Sequence, residues 1–328
     1  MGDPTDTPTV PFSDVLITTP SFGQQSSLPW DELERLGLSH QVMTGNHPLS
    51  SERLAAALAG SRAAIVGLDE VGPEVFAANP ELRVVAKHGV GVDNIDCEAA
   101  RAAGVRVINA PGSNSDAVAD LTFGLMLALA RQLVQAHSSM LDGRWDRFHG
   151  VELGGRTLGL LGFGRIGQAV ARRAGAFGMN IIAYDPYLQD EAFANQGVQR
   201  AGLDECISNS DFLSLHLPGS AGDRPLLDAA RLDAMRRGAF LINAARGGLV
   251  DEEHLAGLLD DGHLAGAALD AFATEPLQAG SPLALLPNVI LTPHIGAFTD
   301  KANATMGAMV VADIARVLRG EEPVNGIA

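Results

Sequence analysis

The stretch 157-TLGLLGFGRIGQAVARR-173 decides the fold. An apolar, strand-like run, Thr157–Gly162, meets a glycine-spaced turn, Gly162-Phe163-Gly164-Arg165-Ile166-Gly167, and a helix-like run follows at once. This is the context in which such spacing holds a pyrophosphate. Gly162 allows the tight turn, Gly164 lets a phosphate approach the backbone, and Gly167 lets helix and strand pack closely. Arg165 and Ile166 open the helix, whose N-terminus faces the phosphates. The next strand candidate, Asn180–Tyr184, ends in Asp185, about 20 residues on. Asp185 is placed to accept from the ribose hydroxyls and to repel a 2′-phosphate, so the expected cofactor is NAD rather than NADP.

Outward from this loop, strand-like and helix-like runs alternate along nearly the whole chain. Downstream strand candidates are Phe212–His216, Phe240–Asn243, Ala265–Leu269 and Val289–Leu291. Upstream ones are Asp14–Thr18, Gln41–Met43, Ala63–Val66, Leu82–Ala86 and Val105–Ile108. Helices are predicted over Ser51–Leu58, behind a Ser50/Ser51 cap, over Ile95–Ala103 before Gly104, and over Thr299–Leu318 before Gly320. The segment 115-SDAVADLTFGLMLALARQLVQAHSSMLDG-143 reads as one long helix, capped by Ser115 and stopped by Gly143. It is apolar on more than one face, which predicts burial between layers or subunits. The pattern implies an α/β fold of two doubly wound parallel-sheet units, with the active site in the cleft between them.

Composition narrows the function. At 328 residues the chain has room for two cores, and 46% hydrophobic with 19% charged residues is an ordinary globular balance. A net charge of −16 argues against nucleic acid and against an anionic membrane surface. The longest apolar run, Leu121–Ala130, is about half a membrane span. Cys97 and Cys206 form no CxxC pair, so a reduced, cytoplasmic setting is expected. The opening MGDPTDTPTVP has no apolar core of a signal peptide and reads as a loose tail. The histidines show no metal-ligand spacing, so no metal is expected.

Three polar residues follow strand-like runs of the second unit: Arg246 in 240-FLINAARGGLVDEE-253, Glu275 in 265-AGAALDAFATEP-276 and His294 in 289-VILTPHIGAF-298. Each lies past the carboxyl end of a strand, where open α/β sheets bind ligands. Singly, each has an ordinary reading: a surface ion pair, a turn residue, a loop histidine. Together they are the groups that reduction of a 2-keto acid requires. Arg246 is suited to hold a carboxylate and polarise the adjacent carbonyl. His294 is suited to deliver or take the proton. Glu275 is suited to orient the imidazole and favour its protonated form.

In this order of motifs, from about residue 60 to 322, the chain resembles the D-isomer-specific 2-hydroxyacid dehydrogenase family. GVGVDNID, NAPGSNSDAVAD, LGFGRIG, INAARGGLVDEE, GAALDAFATEP and LTPHIGA all take part. The resemblance implies the catalytic set Arg246, Glu275 and His294, with Asp185 on the ribose, Asp270 on the nicotinamide amide, and Ala244 among the cofactor contacts. It implies a discontinuous substrate domain, 1–108 with 296–328, around an NAD-binding Rossmann domain, 109–295, and a homodimer formed largely through the latter.

Within the family the phosphoglycerate dehydrogenase branch is the most similar. Departures from it are Lys87 where Arg is usual, His88 where a small residue is usual, Asp120 for Glu, Phe298 for a small polar residue, and 217-LPGSAGDRPLL-227 for a threonine-containing loop. The regulatory domain that many members of that branch append is not expected after the last helix.

A second Gly-x-Gly lies in 84-VVAKHGVGVDNID-96. It is no dinucleotide loop, because Asn94 stands at the third glycine position and the next strand ends without an acid. The backbone around Val90 and Gly91 is suited to a carboxylate. Lys87, with Arg147 of a partner subunit (the resemblance places a second basic residue just after Trp145), is expected to hold a phosphate-like tail; the alternative is a solvated strand-end lysine.

The reading is an NAD-dependent 2-hydroxyacid dehydrogenase for a small 3-phosphoglycerate-like substrate. The alternatives are a hydroxypyruvate, glyoxylate or other 2-keto acid reductase and, from another class, an NAD-sensing corepressor-like binding protein.

Overall fold

The computed structural model describes residues 13–43, 45, 47–219 and 224–328. The N-terminal tail and part of the 217–227 loop thus lie outside the described residues. Among the described residues the chain forms two compact units. One takes the chain through Asn114 together with Phe298–Ala328, the other Ser115–Ala297. The sequence places these boundaries after 108 and 295. Residues 109 and 110 bond inside the first unit, Asn109 Nδ2–H donating to Val90 O and Ala110 N–H to Gly89 O.

The first unit runs β1 (Val15–Ile17), α1 (Leu28–Leu36), β2 (His40–Val42), α2 (Ser51–Ala57), β3 (Ala63–Val66), α3 (Pro73–Ala78), β4 (Val84–Lys87), α4 (Cys97–Ala102) and β5 (Arg106–Ile108). Its strands pair in parallel in the order β2-β1-β3-β4-β5. β1, β3 and β4 are buried at every residue, as expected of strands covered on both faces. Side-chain caps start α2 and α4. The Ser50 hydroxyl accepts from Arg53 N–H, and the Asp96 carboxylate accepts from Glu98 and Ala99 N–H.

The second unit runs α5 (Ser115–Ala130), α6 (Leu133–Leu141), β6 (Thr157–Leu161), α7 (Arg165–Ala176), β7 (Asn180–Tyr184), α8 (Asp190–Ala194), β8 (Gln199–Arg200), α9 (Leu203–Ser208), β9 (Phe212–Leu215), α10 (Ala229–Asp233), β10 (Phe240–Asn243), α11 (Glu252–Asp260), β11 (Gly266–Leu269) and β12 (Val289–Leu291). Its sheet is parallel in the order β12-β11-β10-β9-β6-β7-β8. The winding reverses between β6 and β9, and such a switch point opens a crevice at the strands' carboxyl ends. Stacked phenyl pairs fill one face, Phe163 on Phe193 at 4.8 Å and Phe212 on Phe240 at 4.7 Å.

The single long helix expected over 115–143 is corrected. α5 and α6 are separate helices bent by 65°. The break is at Gln132, whose φ of 50° is left-handed and whose amide donates to His149 O. No glycine or proline marks it. Ser115 is the first helical residue rather than the cap. α5 buries residues on several faces and packs on α7 and across β10, β11 and β12.

The last helix, α12 (Asp300–Leu318), is capped by the Thr299 hydroxyl and belongs to the first unit, where it packs on α1 and β4. After it the chain lies antiparallel beside β5, with Ile327 N–H donating to Val107 O and Val107 N–H to Ala328 O. Buried Asp313 fastens this return by accepting from Val324 and Asn325 N–H.

Candidate active site

The glycine loop leaves β6 at the switch point. Gly162 has φ of +95°, and a Cβ there would meet His216 O at 2.4 Å. A Cβ on Gly167 would meet Gly162 O at 2.2 Å, so helix and loop are in backbone contact. Above Gly164 there is open space. α7 then starts at Arg165 and Ile166 with no side-chain cap and no acid in its first turn, leaving its N–H groups to an anion. Half-buried Asp185 stands beside this loop, accepting from Phe163 N–H at 3.0 Å and Tyr187 N–H at 3.0 Å. A backbone cradle, an uncapped twelve-residue helix and a carboxylate beside the loop fit a dinucleotide.

Arg246, Glu275 and His294 follow β10, β11 and β12, three neighbouring strands. Glu275 and His294 meet: Nδ1 of the imidazole lies 2.9 Å from Oε2 and 3.0 Å from Oε1. The carboxylate accepts, so Nδ1 carries the proton and Nε2 is left to exchange one. Burial alone would raise the Glu275 carboxyl. The His294 hydrogen bond, the Phe272 N–H and the His294 and Arg246 charges outweigh it and hold the carboxyl below the usual carboxylate range. Arg246 leaves an extended backbone, its shape set by fully buried Asn243, which accepts from Ala245 N–H and donates to Arg246 O. Ala244, between them, is half-buried.

Asp270 does more than the sequence suggests. It is 2% exposed and accepts from Thr292 Oγ1 at 2.7 Å, Ile295 N–H at 2.8 Å and Gly296 N–H at 2.8 Å. It therefore grips the loop carrying His294, whose own φ of 54° is left-handed. A non-glycine residue held there is a feature concentrated at functional sites. These grips were not foreseen. The only local signal is a polar residue at the end of each apolar strand run, Asn243 and Asp270.

In the first unit, Lys87 ends β4 and is buried. Its ammonium donates to Gly67 O and to Asn94 Oδ1 at 2.8 Å, so it knits the loops after β3 and β4 together. His88 is also buried. Its Nδ1 lies 3.1 Å from Ser21 Oγ, and burial, more than the Lys87 charge, pushes the imidazole down to about 4. Val90 and Gly91 are half-buried at the loop's crest. Trp145 and Arg147 are exposed, in a stretch exposed from Leu141, the last residue of α6, to Gly150.

A parallel sheet with this switch point and glycine loop, and with Arg, Glu and His on adjacent strand ends, defines a dinucleotide-binding α/β domain. Residues 123–296 match the family model described as D-isomer specific 2-hydroxyacid dehydrogenase, NAD binding domain. The chain belongs to that family, and its dinucleotide is NAD. It is 46% identical over 255 residues to a D-3-phosphoglycerate dehydrogenase of Methanocaldococcus jannaschii, covering 77% of this chain and 48% of the relative. It thus spans about half the length of the phosphoglycerate dehydrogenases it matches. A hydroxypyruvate reductase of Thermotoga maritima is 41% identical over 253 residues, 76% of this chain and 82% of the reductase. The solved structure of the TT0316 protein from Thermus thermophilus superposes with a TM-score of 0.86 at 40% identity, covering 96% of this chain and 99% of that one.

Proposed function

We propose that the chain is an NAD-dependent dehydrogenase interconverting a 2-hydroxy acid and its 2-keto acid, with a 3-phosphoglycerate-like substrate. The observation that carries it is the Glu275–His294 pair, gripped through Asp270 on strand ends neighbouring that of Arg246. NAD, when bound, supplies or takes the hydride. Arg246 holds the substrate carboxylate as a two-pronged donor and draws charge from the carbonyl. His294 Nε2 gives a proton to the forming alkoxide during reduction and takes it back during oxidation. Glu275 keeps the ring in the required tautomer and stabilises the imidazolium. Asp185 selects NAD by accepting from the ribose.

The names of the relatives support the substrate class, and Lys87, Val90 and Gly91 with Arg147 of a second copy are the proposed substrate contacts. One observation favours the hydroxypyruvate reductase reading in second place: Lys87 already has protein acceptors in Gly67 O and Asn94 Oδ1. The binding-protein reading is not favoured by relatives named as dehydrogenases and a reductase. A homodimer is supported by exposed Leu133, Met140, Leu141 and Trp145 on and after α6, an apolar surface suited to a second copy. A cytoplasmic setting is supported by Cys97 and Cys206, both free.

The test is NADH oxidation with paired 2-keto acids, phosphorylated and not, beside a sedimentation measurement of size. Turnover of 3-phosphohydroxypyruvate well above hydroxypyruvate is expected. Equal turnover of the two refutes the phosphate preference, no turnover of any 2-keto acid refutes the dehydrogenase, and a monomer refutes the homodimer.

A further inference from the structure

The turn from Phe272 to Glu275 is held by two carboxylates. Glu275 Oε1 accepts from Phe272 N–H at 3.0 Å. The very next N–H, that of Ala273, donates to Glu252 Oε1 at 2.6 Å. Glu252 is the first residue of α11 and reaches the turn from 21 residues earlier in the sequence. The Gly247 turn that leads into α11 is pressed against the same stretch, since a Cβ on Gly247 would meet Phe272 C at 1.7 Å and Ala273 N at 2.1 Å. The two carboxylates sense each other. Burial first, and then the Glu275 charge, push the Glu252 carboxyl up, while the Ala273 N–H pulls it down.

We propose that Glu252 is a positioning residue for the Glu275–His294 pair: it fixes the turn that carries Glu275 and adds a negative charge that favours protonated His294. The inference rests on the dehydrogenase reading of this site. The other charged groups at the turn and at the loop facing it are Arg246 after β10, Asp270 after β11 and His294 after β12. The Arg246 charge acts on the Glu275 carboxylate from one side and the Glu252 carboxylate stands near it on the other. An amide at position 252 keeps the acceptor for Ala273 N–H and loses the charge. Glu252→Gln and Glu252→Ala therefore separate the two roles.

The experiment is the pH profile of NADH-dependent reduction of the best 2-keto acid by the wild type, Glu252→Gln and Glu252→Ala. Reduction needs the protonated imidazole, so the rate falls as pH rises through the pair's titration. In Glu252→Gln that falling limb is expected to move to lower pH, with KM for NADH unchanged. Glu252→Ala is expected to show the same move and also to lose roughly tenfold in kcat, which glutamine restores. A second measurement needs no turnover: the His294 imidazole proton resonance, assigned by its loss in His294→Ala, is expected to titrate at lower pH in Glu252→Gln. A limb and a resonance in Glu252→Gln that coincide with the wild type overturn the proposal, whatever Glu252→Ala does. A chain that reduces no 2-keto acid, but whose resonance moves as expected, overturns the dehydrogenase reading and leaves the link from Glu252 to His294 standing.

Discussion

Asp270 makes no side-chain hydrogen bond to His294, yet it sets where His294 stands by accepting from both N–H groups that follow it, those of Ile295 and Gly296. Replacing Asp270 with alanine leaves these two donors without the carboxylate. Each such loss costs roughly 1–3 kcal/mol. Asp270→Ala is expected to melt at lower temperature and to lose kcat at least tenfold, because the imidazole is no longer held at a productive angle. Calorimetry and steady-state kinetics check it. A variant that melts and turns over like the wild type refutes the grip.

His294→Ala is expected to lower kcat by about a hundredfold to ten-thousandfold, the usual contribution of a positioned acid or base. NADH binding, read by fluorescence titration, is expected to be unchanged. Near-normal turnover would sink the assignment.

Glu275→Gln removes the charge facing Nδ1 while keeping an oxygen acceptor. The falling, high-pH limb of keto-acid reduction is expected to move to lower pH, and the maximal rate to drop. Glu275 also bears on stability. Its carboxyl is held below the usual range, so it stabilises the fold above that range, and the contribution disappears as pH falls through the lowered value. Wild type is thus expected to lose more stability than Glu275→Gln on acidification from pH 6 to pH 3. Parallel curves speak against it.

His88 acts with the opposite charge type but the same direction in pH. Burial holds it neutral down to about 4, while an unfolded chain protonates it near 6.5. Between those values the unfolded state binds the extra proton. Stability is therefore full above about 6.5 and falls by up to roughly 1.4 kcal/mol per unit as pH drops toward 4. His88→Gln is expected to flatten the dependence of the melting temperature on pH between 6.5 and 4. An unchanged slope contradicts a buried neutral ring.

Asp185→Ala is expected to narrow the preference for NAD over NADP, measured as the ratio of kcat/KM with the two cofactors. It also strips an acceptor from Phe163 N–H in the glycine loop, so KM for NAD is expected to rise. Unchanged selectivity would remove Asp185 from the ribose.

What the sequence discloses is what local order encodes. The glycine loop, its strand and Asp185 stand close together in one βαβ unit, so spacing alone reveals them. Arg246, Glu275 and His294 announce themselves as polar residues after apolar strands. The bend at Gln132 is not written in any breaker residue; it comes from tertiary hydrogen bonding at His149 O. The hold of Asp270 on Thr292, Ile295 and Gly296 spans 22 to 26 residues, and that of Glu252 on Ala273 spans 21. Neither falls within a helical or strand period, so both become visible only when neighbouring strand ends are set side by side.

The return of α12 and the chain after it to β5 has a consequence for the order of synthesis. Residues 115–297 form a contiguous unit that is complete on the ribosome before Phe298 is added. The unit begun earlier stays unfinished, because the surfaces of α1 and β4 that α12 covers, and the β5 edge that Ile327 and Ala328 pair with, wait for the last segment. The half begun first is therefore the half whose native contacts are completed last. Until that segment arrives, the apolar surfaces of α1 and β4 that α12 covers are open to other contacts.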